Sequence, residues 1–313
     1  MTQTTPVIAT ERLTKRYGRR TAVDELTVEI PRGTVAGFIG PNGAGKTTTM
    51  AMLLGLVRPT AGRGTVLGEP ISHPERYINR VGALLEAPAM WPSLTSVDNL
   101  TVLARLSGHD EKRIPEVLDL VGLADRSGDR FGKYSLGMKQ RLGIAATLLG
   151  QPDLLILDEP TNGLDPMGMS DMRDLIRRVA SEDRTVLVSS HVLSELEQVC
   201  DWLFIVDHGR LIYSGESSEF IVHGDEILLS PMRLDDLIGL GELVARQGFE
   251  VGRDGDQLVV PVDDRDPRAT AATLNSAAAS AGIVLAELHV RRPTLESNYL
   301  KMLSPHAVEG EVA

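Results

Sequence analysis

Short runs of apolar, often β-branched residues alternate along the first two thirds of the chain with stretches whose apolar positions recur every three or four residues. The first kind fits strands buried on both faces and the second fits amphipathic helices, so their alternation predicts an α/β domain. Val35 to Ile39, Val81 to Leu85, Leu154 to Leu157, Val186 to Ser189 and Trp202 to Val206 are the expected strands. Ser96 to Leu106, Lys112 to Val121, Gly137 to Leu149, Gly168 to Ala180 and Val192 to Val199 carry the helical spacing. Each strand closes in a polar or glycine-containing segment, and in such sheets functional groups gather at the C-terminal strand ends. Asp207-His208-Gly209-Arg210 fits a hairpin turn leading into Leu211 to Tyr213.

From about Gly224 the pattern changes. A strand over Glu226 to Leu229, a helix over Leu234 to Gln247 and a strand over Phe249 to Gly252 come first. A turn at Asp254-Gly255-Asp256 then leads to a strand over Leu258 to Val262, a helix over Asp266 to Ala281 and a strand over Ile283 to Val290. The order βαββαβ is that of a split βαβ unit and predicts a small α+β ferredoxin-like domain. The expected division is a first domain over residues 1–223, a C-terminal accessory domain over 224–303 and a flexible tail over 304–313.

Composition narrows the setting. The chain has 313 residues, 42% of them hydrophobic and 24% charged, enough for a full core in one large and one small domain. A formal net charge of -11 offers no broad basic surface, so nucleic acid is not an expected partner. The single cysteine, Cys200, excludes an intrachain disulfide and fits a reducing compartment, where it reads as a small buried residue near a helix end. Residues 1–18 alternate polar and apolar and carry Glu11, Arg12, Lys15 and Arg16, unlike the apolar core of a signal peptide. The most apolar stretch, Leu142 to Leu157, is broken by Gln151, Pro152 and Asp153 and is too short to span a bilayer. A cytoplasmic chain is expected, one that serves a membrane through a partner if it serves one at all.

Two motifs carry the chemistry. Gly40-Pro41-Asn42-Gly43-Ala44-Gly45-Lys46-Thr47 matches G-x-x-x-x-G-K-[ST], follows the Val35 to Ile39 strand and precedes the helical run Thr48 to Leu54. Its glycines let successive backbone N–H groups converge on phosphate oxygens, Lys46 reaches the β and γ phosphates, and the Thr47 hydroxyl suits Mg²⁺. The helix N-terminus adds partial positive charge. Leu154 to Leu157 then ends in Asp158-Glu159. Such a pair divides the work, Asp158 holding the Mg²⁺ shell and Glu159 polarising the water that attacks the γ phosphate. Together the motifs point to a nucleotide hydrolase that uses Mg²⁺, with Gly40, Asn42, Gly43, Gly45, Lys46, Thr47 and Thr48 as the expected nucleotide contacts.

Further motifs in order along the chain resemble those of the ATP-binding cassette family. Tyr134-Ser135-Leu136-Gly137-Met138-Lys139-Gln140-Arg141 is similar to its signature segment, Asn162-Gly163-Leu164-Asp165 to its D-loop, and His191 to its switch histidine. The resemblance implies a P-loop NTPase cassette with a helical signature subdomain, and ATP as its nucleotide. It also implies head-to-tail pairing with a second cassette, in a homodimer, so that Ser135 and Gly137 of one copy, with Asp165, complete the ATP site of the other. His191 would bond the γ phosphate and keep the water in line. Tyr17 would stack on adenine as the family's A-loop aromatic does, although its ring suits packing equally well.

The chain departs from the family pattern at three points. Glu86 stands where the family usually has glutamine, and it is expected to serve as the γ-phosphate sensor beside Mg²⁺, as in the subgroup resembling drug, bacitracin and lantibiotic exporters. Leu136 and Met138 replace a glycine and a glutamine of the signature, while Ser135 and Gly137 are kept. The segment Ala87 to Leu94 holds Met90 and Trp91 in a loop that either docks on a membrane partner or packs under the helical subdomain. Pro293 to Leu300 is similar to an ending common in the same subgroup.

The resemblance thus implies the ATPase subunit of an exporter of a drug, lipid or antibiotic peptide, working with separate permease subunits and bound peripherally to the inner face of the cell membrane. A soluble regulatory or translation-associated ATPase is the other class. A translation factor of this kind carries two tandem cassettes, and a chromosome ATPase a long coiled coil between loop and signature. A non-hydrolysing sensor would lack Glu159 or His191.

Overall fold

The computed structural model describes residues 5–86, 88–180, 184–220, 225–262 and 265–291. The expected domain boundary at 223, the tail over 304–313 and the Pro293 to Leu300 segment lie outside these residues, as does Ala87. The chain forms two compact units, one ending at Ser217 and the other beginning at Ser218.

The first unit opens with β1 (Ile8–Tyr17), β2 (Arg20–Leu26), β3 (Glu29–Ile30) and β4 (Val35–Ile39), then α1 (Lys46–Leu53), β5 (Ala61–Val66), β6 (Glu69–Pro70) and β7 (Val81–Leu84). Three helices follow, α2 (Ser96–Ser107), α3 (Ile114–Leu120) and α4 (Leu136–Leu148). It closes with β8 (Leu154–Leu157), α5 (Pro166–Ala180), β9 (Thr185–Ser190), α6 (Leu193–Leu196), β10 (Trp202–Asp207) and β11 (Arg210–Glu216).

The central sheet runs β11-β10-β4-β9-β8-β7, parallel except for β11. All residues of β4, β8 and β9 are buried, which is why β4, β8 and the Val186 to Val188 centre of β9 appear as unbroken apolar runs rather than alternating ones. Ile39 pairs with Ser190 and Leu157 with Val188, so the C-terminal ends of β4, β9 and β8 stand side by side. That edge receives the phosphate loop, the acid pair and the histidine.

A second, antiparallel sheet built from β2, β1, β5 and β6, with β3 against β1, was not anticipated. Its strands alternate in burial, and β5 contains Gly62 and Gly64 and is exposed over its first half, so no local apolar run marks it. The pairing is long-range, Ile8 with Val66. Its inner face shares one core with the central sheet, where Ile8, Leu13, Phe38, Met50, Tyr77 and Phe204 are buried.

The helical segment starts at a full capping box: Thr95 Oγ1 accepts from the Asp98 N–H at 3.1 Å, and Asp98 Oδ2 accepts from the Thr95 N–H at 3.4 Å. The expected helix over Lys112 to Val121 splits into a 3-10 turn at Glu111–Arg113 and α3, because Pro115 belongs in a first helical turn. Only Leu193–Leu196 of the expected Val192 to Val199 helix is helical.

A short α7 (Ser217–Phe220) precedes the elements of the second unit, which are β12 (Glu226–Pro231), α8 (Leu237–Arg246), β13 (Gly252–Asp254), β14 (Gln257–Pro261), α9 (Pro267–Ser280) and β15 (Leu285–Arg291). The sheet order is β13-β14-β12-β15, with every neighbouring pair antiparallel. Ile227, Leu229, Leu240, Val244, Val260 and Leu274 form its core. β13 lies later than the expected Phe249 to Gly252, since Phe249 and Val251 pack on the core and the Phe249 ring carries the Arg265 guanidinium at 4.5 Å.

Candidate nucleotide-binding site

Between β4 and α1 the chain must turn sharply while leaving its amides free, and the glycines permit it. Gly43 and Gly45 have φ of +84° and +101°, a region glycine enters without steric cost. The loop that results, with Tyr17, Arg20 and Asn162, lines a cleft of about 410 Å³ that includes Asn42, Gly43, Gly45, Lys46, Thr47, Thr48 and Glu159. Gly40 lies at the base of the loop, where a Cβ would meet the Val206 carbonyl oxygen at 2.2 Å. A larger hollow of about 690 Å³ among residues 55–64 and 70–75 holds none of the motif residues, so volume alone does not mark the site.

Lys46 is 6% exposed, and its ammonium donates to the Gly40 carbonyl at 2.6 Å and lies 3.1 Å from Glu159 Oε1. The other oxygen of Glu159 meets His191 Nδ1 at 2.6 Å. Against a carboxylate Nδ1 carries the hydrogen, which leaves Nε2 as the ring's second bonding atom. The Thr47 hydroxyl donates to Asp158 Oδ2 at 2.6 Å, while Ser189 donates to Asp158 Oδ1 and accepts from the Glu159 N–H at 2.9 Å. Thus residues spread from 46 to 191 converge through contacts that follow directly from the strand register.

The remaining expected site residues lie outside the cleft lining. Ser135 is exposed and caps α4, accepting from the Met138 N–H at 3.3 Å. A Cβ on Gly137 would lie 3.6 Å from Leu164, so the signature segment and the D-loop abut. Asp165 Oδ1 accepts from the Gly168 N–H at 2.8 Å at the start of α5. Tyr134, buried, donates to the Arg126 carbonyl at 2.7 Å and is a structural member of its motif. Glu86 is exposed just past β7, with φ +61°. Leu84 pairs with Leu157 and accepts from the Asp158 N–H at 2.8 Å, so Glu86 and the acid pair leave the same edge of the sheet.

Sequence reasoning missed Arg20 and Ser189. Ser189 could have been found as the point where the apolar run Val186 to Val188 gives way to serine at the C-terminal end of β9. Arg20 opens β2 opposite Tyr17 in the hairpin of β1 and β2, and its nearness to the loop is tertiary: the Cβ position of Gly43 is 3.3 Å from Arg20 Nη2.

Residues 23–162 match the family described as ABC transporter. The bacitracin transport ATP-binding protein of Bacillus licheniformis is 47% identical over 209 residues, 66% of this chain and 68% of that protein. The chain belongs to the ABC transporter ATP-binding proteins. The daunorubicin/doxorubicin resistance ATP-binding protein of Streptomyces peucetius is 37% identical over 277 residues, 85% of this ABC subunit and 83% of that protein. A solved structure of the ATP binding subunit of an ABC transporter superposes with a TM-score of 0.61 at 29% identity, covering 68% of this chain and 91% of that one.

This ABC protein is therefore the ATP-binding subunit of a transporter of the exporter group, an ATPase coupled to transport that works with membrane permease subunits. Among the described residues, no helix is long and apolar enough to cross a membrane.

Proposed function

We propose that the cleft hydrolyses ATP with Glu159 polarising the attacking water, His191 bonding the γ phosphate through Nε2 and Lys46 holding the β and γ phosphates. The observation that carries this reading is the contact of Glu159 with both His191 and Lys46, at 2.6 and 3.1 Å, beside the glycine-rich loop. In this reading Tyr17 stacks on adenine, and Gly40, Asn42, Gly43, Gly45 and Thr48 contact the phosphates. The Thr47 hydroxyl and the Asp158 carboxylate, 2.6 Å apart, are hard oxygen donors of the kind magnesium takes, with Glu86 a third at the neighbouring strand end. Magnesium held by these oxygens would neutralise charge on the phosphate oxygens.

The cassette pairs head to tail with a second copy, whose Ser135, Gly137 and Asp165 complete the cleft. Support comes from the exposed N-terminus of α4, which presents Ser135 and a 42%-exposed Leu136 away from the cleft of its own chain. The protein acts at the cytoplasmic face of the membrane and drives export of a drug, a lipid or an antibiotic peptide, a reading supported by its likeness to a bacitracin transport protein and a daunorubicin/doxorubicin resistance protein. The second unit is a ferredoxin-like accessory domain, a reading supported by its element order and its antiparallel β13-β14-β12-β15 arrangement.

Glu159→Gln in the full chain tests the chemistry. ATP hydrolysis should fall by about 100-fold or more, the scale of a lost general base, while ATP binding persists and ATP-dependent dimers accumulate in size exclusion. Hydrolysis at the wild-type rate would exclude the assigned role.

A further inference from the structure

Glu195 is a buried carboxylate that the chemistry above does not use. It is 6% exposed, in α6, four residues past His191 and between the buried Leu193 and Leu196. A carboxylate in such surroundings is costly unless hydrogen-bonded, and this one is bonded. Its Oε2 accepts from the Thr161 hydroxyl at 2.5 Å and from the Ser190 hydroxyl at 3.1 Å, a hydroxyl that also lies 3.2 Å from the Val192 carbonyl oxygen. The Ser190 oxygen in turn accepts from the Val192 N–H at 2.9 Å.

The placement of the two donors gives the contact its meaning. Thr161 lies two residues beyond Glu159, and Ser190 directly precedes His191. One buried oxygen therefore joins the segment that carries the base to the segment that carries the histidine. On the other side of the same pair, Ser189 makes a second link, to Asp158 and to the Glu159 N–H. The Glu159 to His191 contact is thus bracketed by two hydroxyl clasps, and neither segment can shift along the strand direction without breaking one.

We infer that Glu195 is a positioning residue for hydrolysis: by holding Thr161 and Ser190 on one oxygen it sets the separation of Glu159 from His191. The inference rests on the assignment of Glu159 and His191 given above. It needs an acceptor oxygen rather than a charge, because both hydroxyls bond the same atom and a glutamine carbonyl oxygen can take its place. A side chain of similar length without an acceptor leaves Thr161 without its partner and frees the segment after Glu159.

The test compares Glu195→Met, Glu195→Gln, Thr161→Val and Thr161→Ser in the full chain, measuring kcat and KM for ATP together with the thermal midpoint. Glu195→Met and Thr161→Val should each lower kcat by about tenfold or more, since a misplacement of roughly 1 Å can cost up to about 100-fold. KM for ATP should stay within about threefold, because the phosphate loop is untouched. Glu195→Gln and Thr161→Ser, which keep the acceptor and the hydroxyl, should retain at least about a third of the wild-type kcat. A folded Glu195→Met or Thr161→Val protein with wild-type kcat overturns the inference, as does a loss confined to KM. If Glu195→Met does not fold, the contrast between Thr161→Val and Thr161→Ser decides alone. Glu159→Gln measured alongside separates the two levels: inactive Glu159→Gln with normal Thr161→Val sinks only the clasp, whereas active Glu159→Gln removes the reading on which it rests.

Discussion

Substituting alanine for Gly45 probes how the phosphate loop is held. Gly45 sits at φ +101°, and placing an L side chain there costs about 1–3 kcal/mol in backbone strain. Its Cβ would also lie 2.4 Å from the Ala22 carbonyl oxygen and 3.2 Å from Val23 Cγ2. Ordinary contact begins near about 3.5 Å, so the overlap with Ala22 is roughly 1 Å. Backbone cannot swing aside as a flexible side chain can, so the loop and β2 must part. Lys46 and Thr47 follow at once and move with it, and a shift of roughly 1 Å at reacting groups can cost about 100-fold in rate. Strain and overlap together should destabilise the fold by about 2–4 kcal/mol. Gly68→Ala is the matched control: φ there is +84°, but nothing lies within 4 Å of the added carbon. Urea unfolding and steady-state ATPase on both variants separate the effects. Gly68→Ala should lose about 1–3 kcal/mol with kcat unchanged. If Gly45→Ala matches Gly68→Ala in stability and keeps kcat within twofold of wild type, the steric reasoning is wrong.

Burial raises the Cys200 thiol well above its usual range, and Asp201 adds to the effect. Less thiolate is then present at any pH, so iodoacetamide at pH 8 should leave the native protein unlabelled and react fully in denaturing urea. The Tyr77 phenol, donating to the Leu53 carbonyl at 2.8 Å, is pushed up from 10.0 to about 12 by burial. Its folded form holds the proton more tightly, so its contribution is intact below pH 10 and is lost as the pH rises toward 12, by at most about 1.4 kcal/mol per pH unit. Unfolding curves for Tyr77→Phe should lack that part of the slope; identical slopes would refute it. Trp91 is 44% exposed, yet its backbone is pinned by the buried Asn99, which accepts from the Trp91 N–H at 2.8 Å and donates to the Trp91 and Thr95 carbonyls at 3.1 and 2.9 Å. Trp91→Ala should therefore keep the fold and the ATPase while transport by the complex with its permease falls, and unchanged transport would return Trp91 to a packing role.

The amino-acid sequence alone determined what each element offers. Val35–Ile39 and Leu154–Leu157 were legible to the residue because strands buried on both faces must be apolar throughout. The glycine loop and the acid pair were legible because phosphate chemistry restricts residue types within a few positions of one another, and His191 through its place in the chain order of motifs that resemble the family's. Tertiary structure decided which of these meet. The parallel register of β4, β9 and β8 brings Lys46 to Glu159 across more than one hundred residues and Glu159 to His191 across 32, and no local pattern records that register. The same is true of the antiparallel sheet to which Arg20 belongs, since its half-exposed β5 pairs with β1 across some fifty residues of chain. Glu195 shows the division most sharply. In sequence it is one acid among forty-three; burial between two hydroxyls, one just past Glu159 and one just before His191, sets it apart.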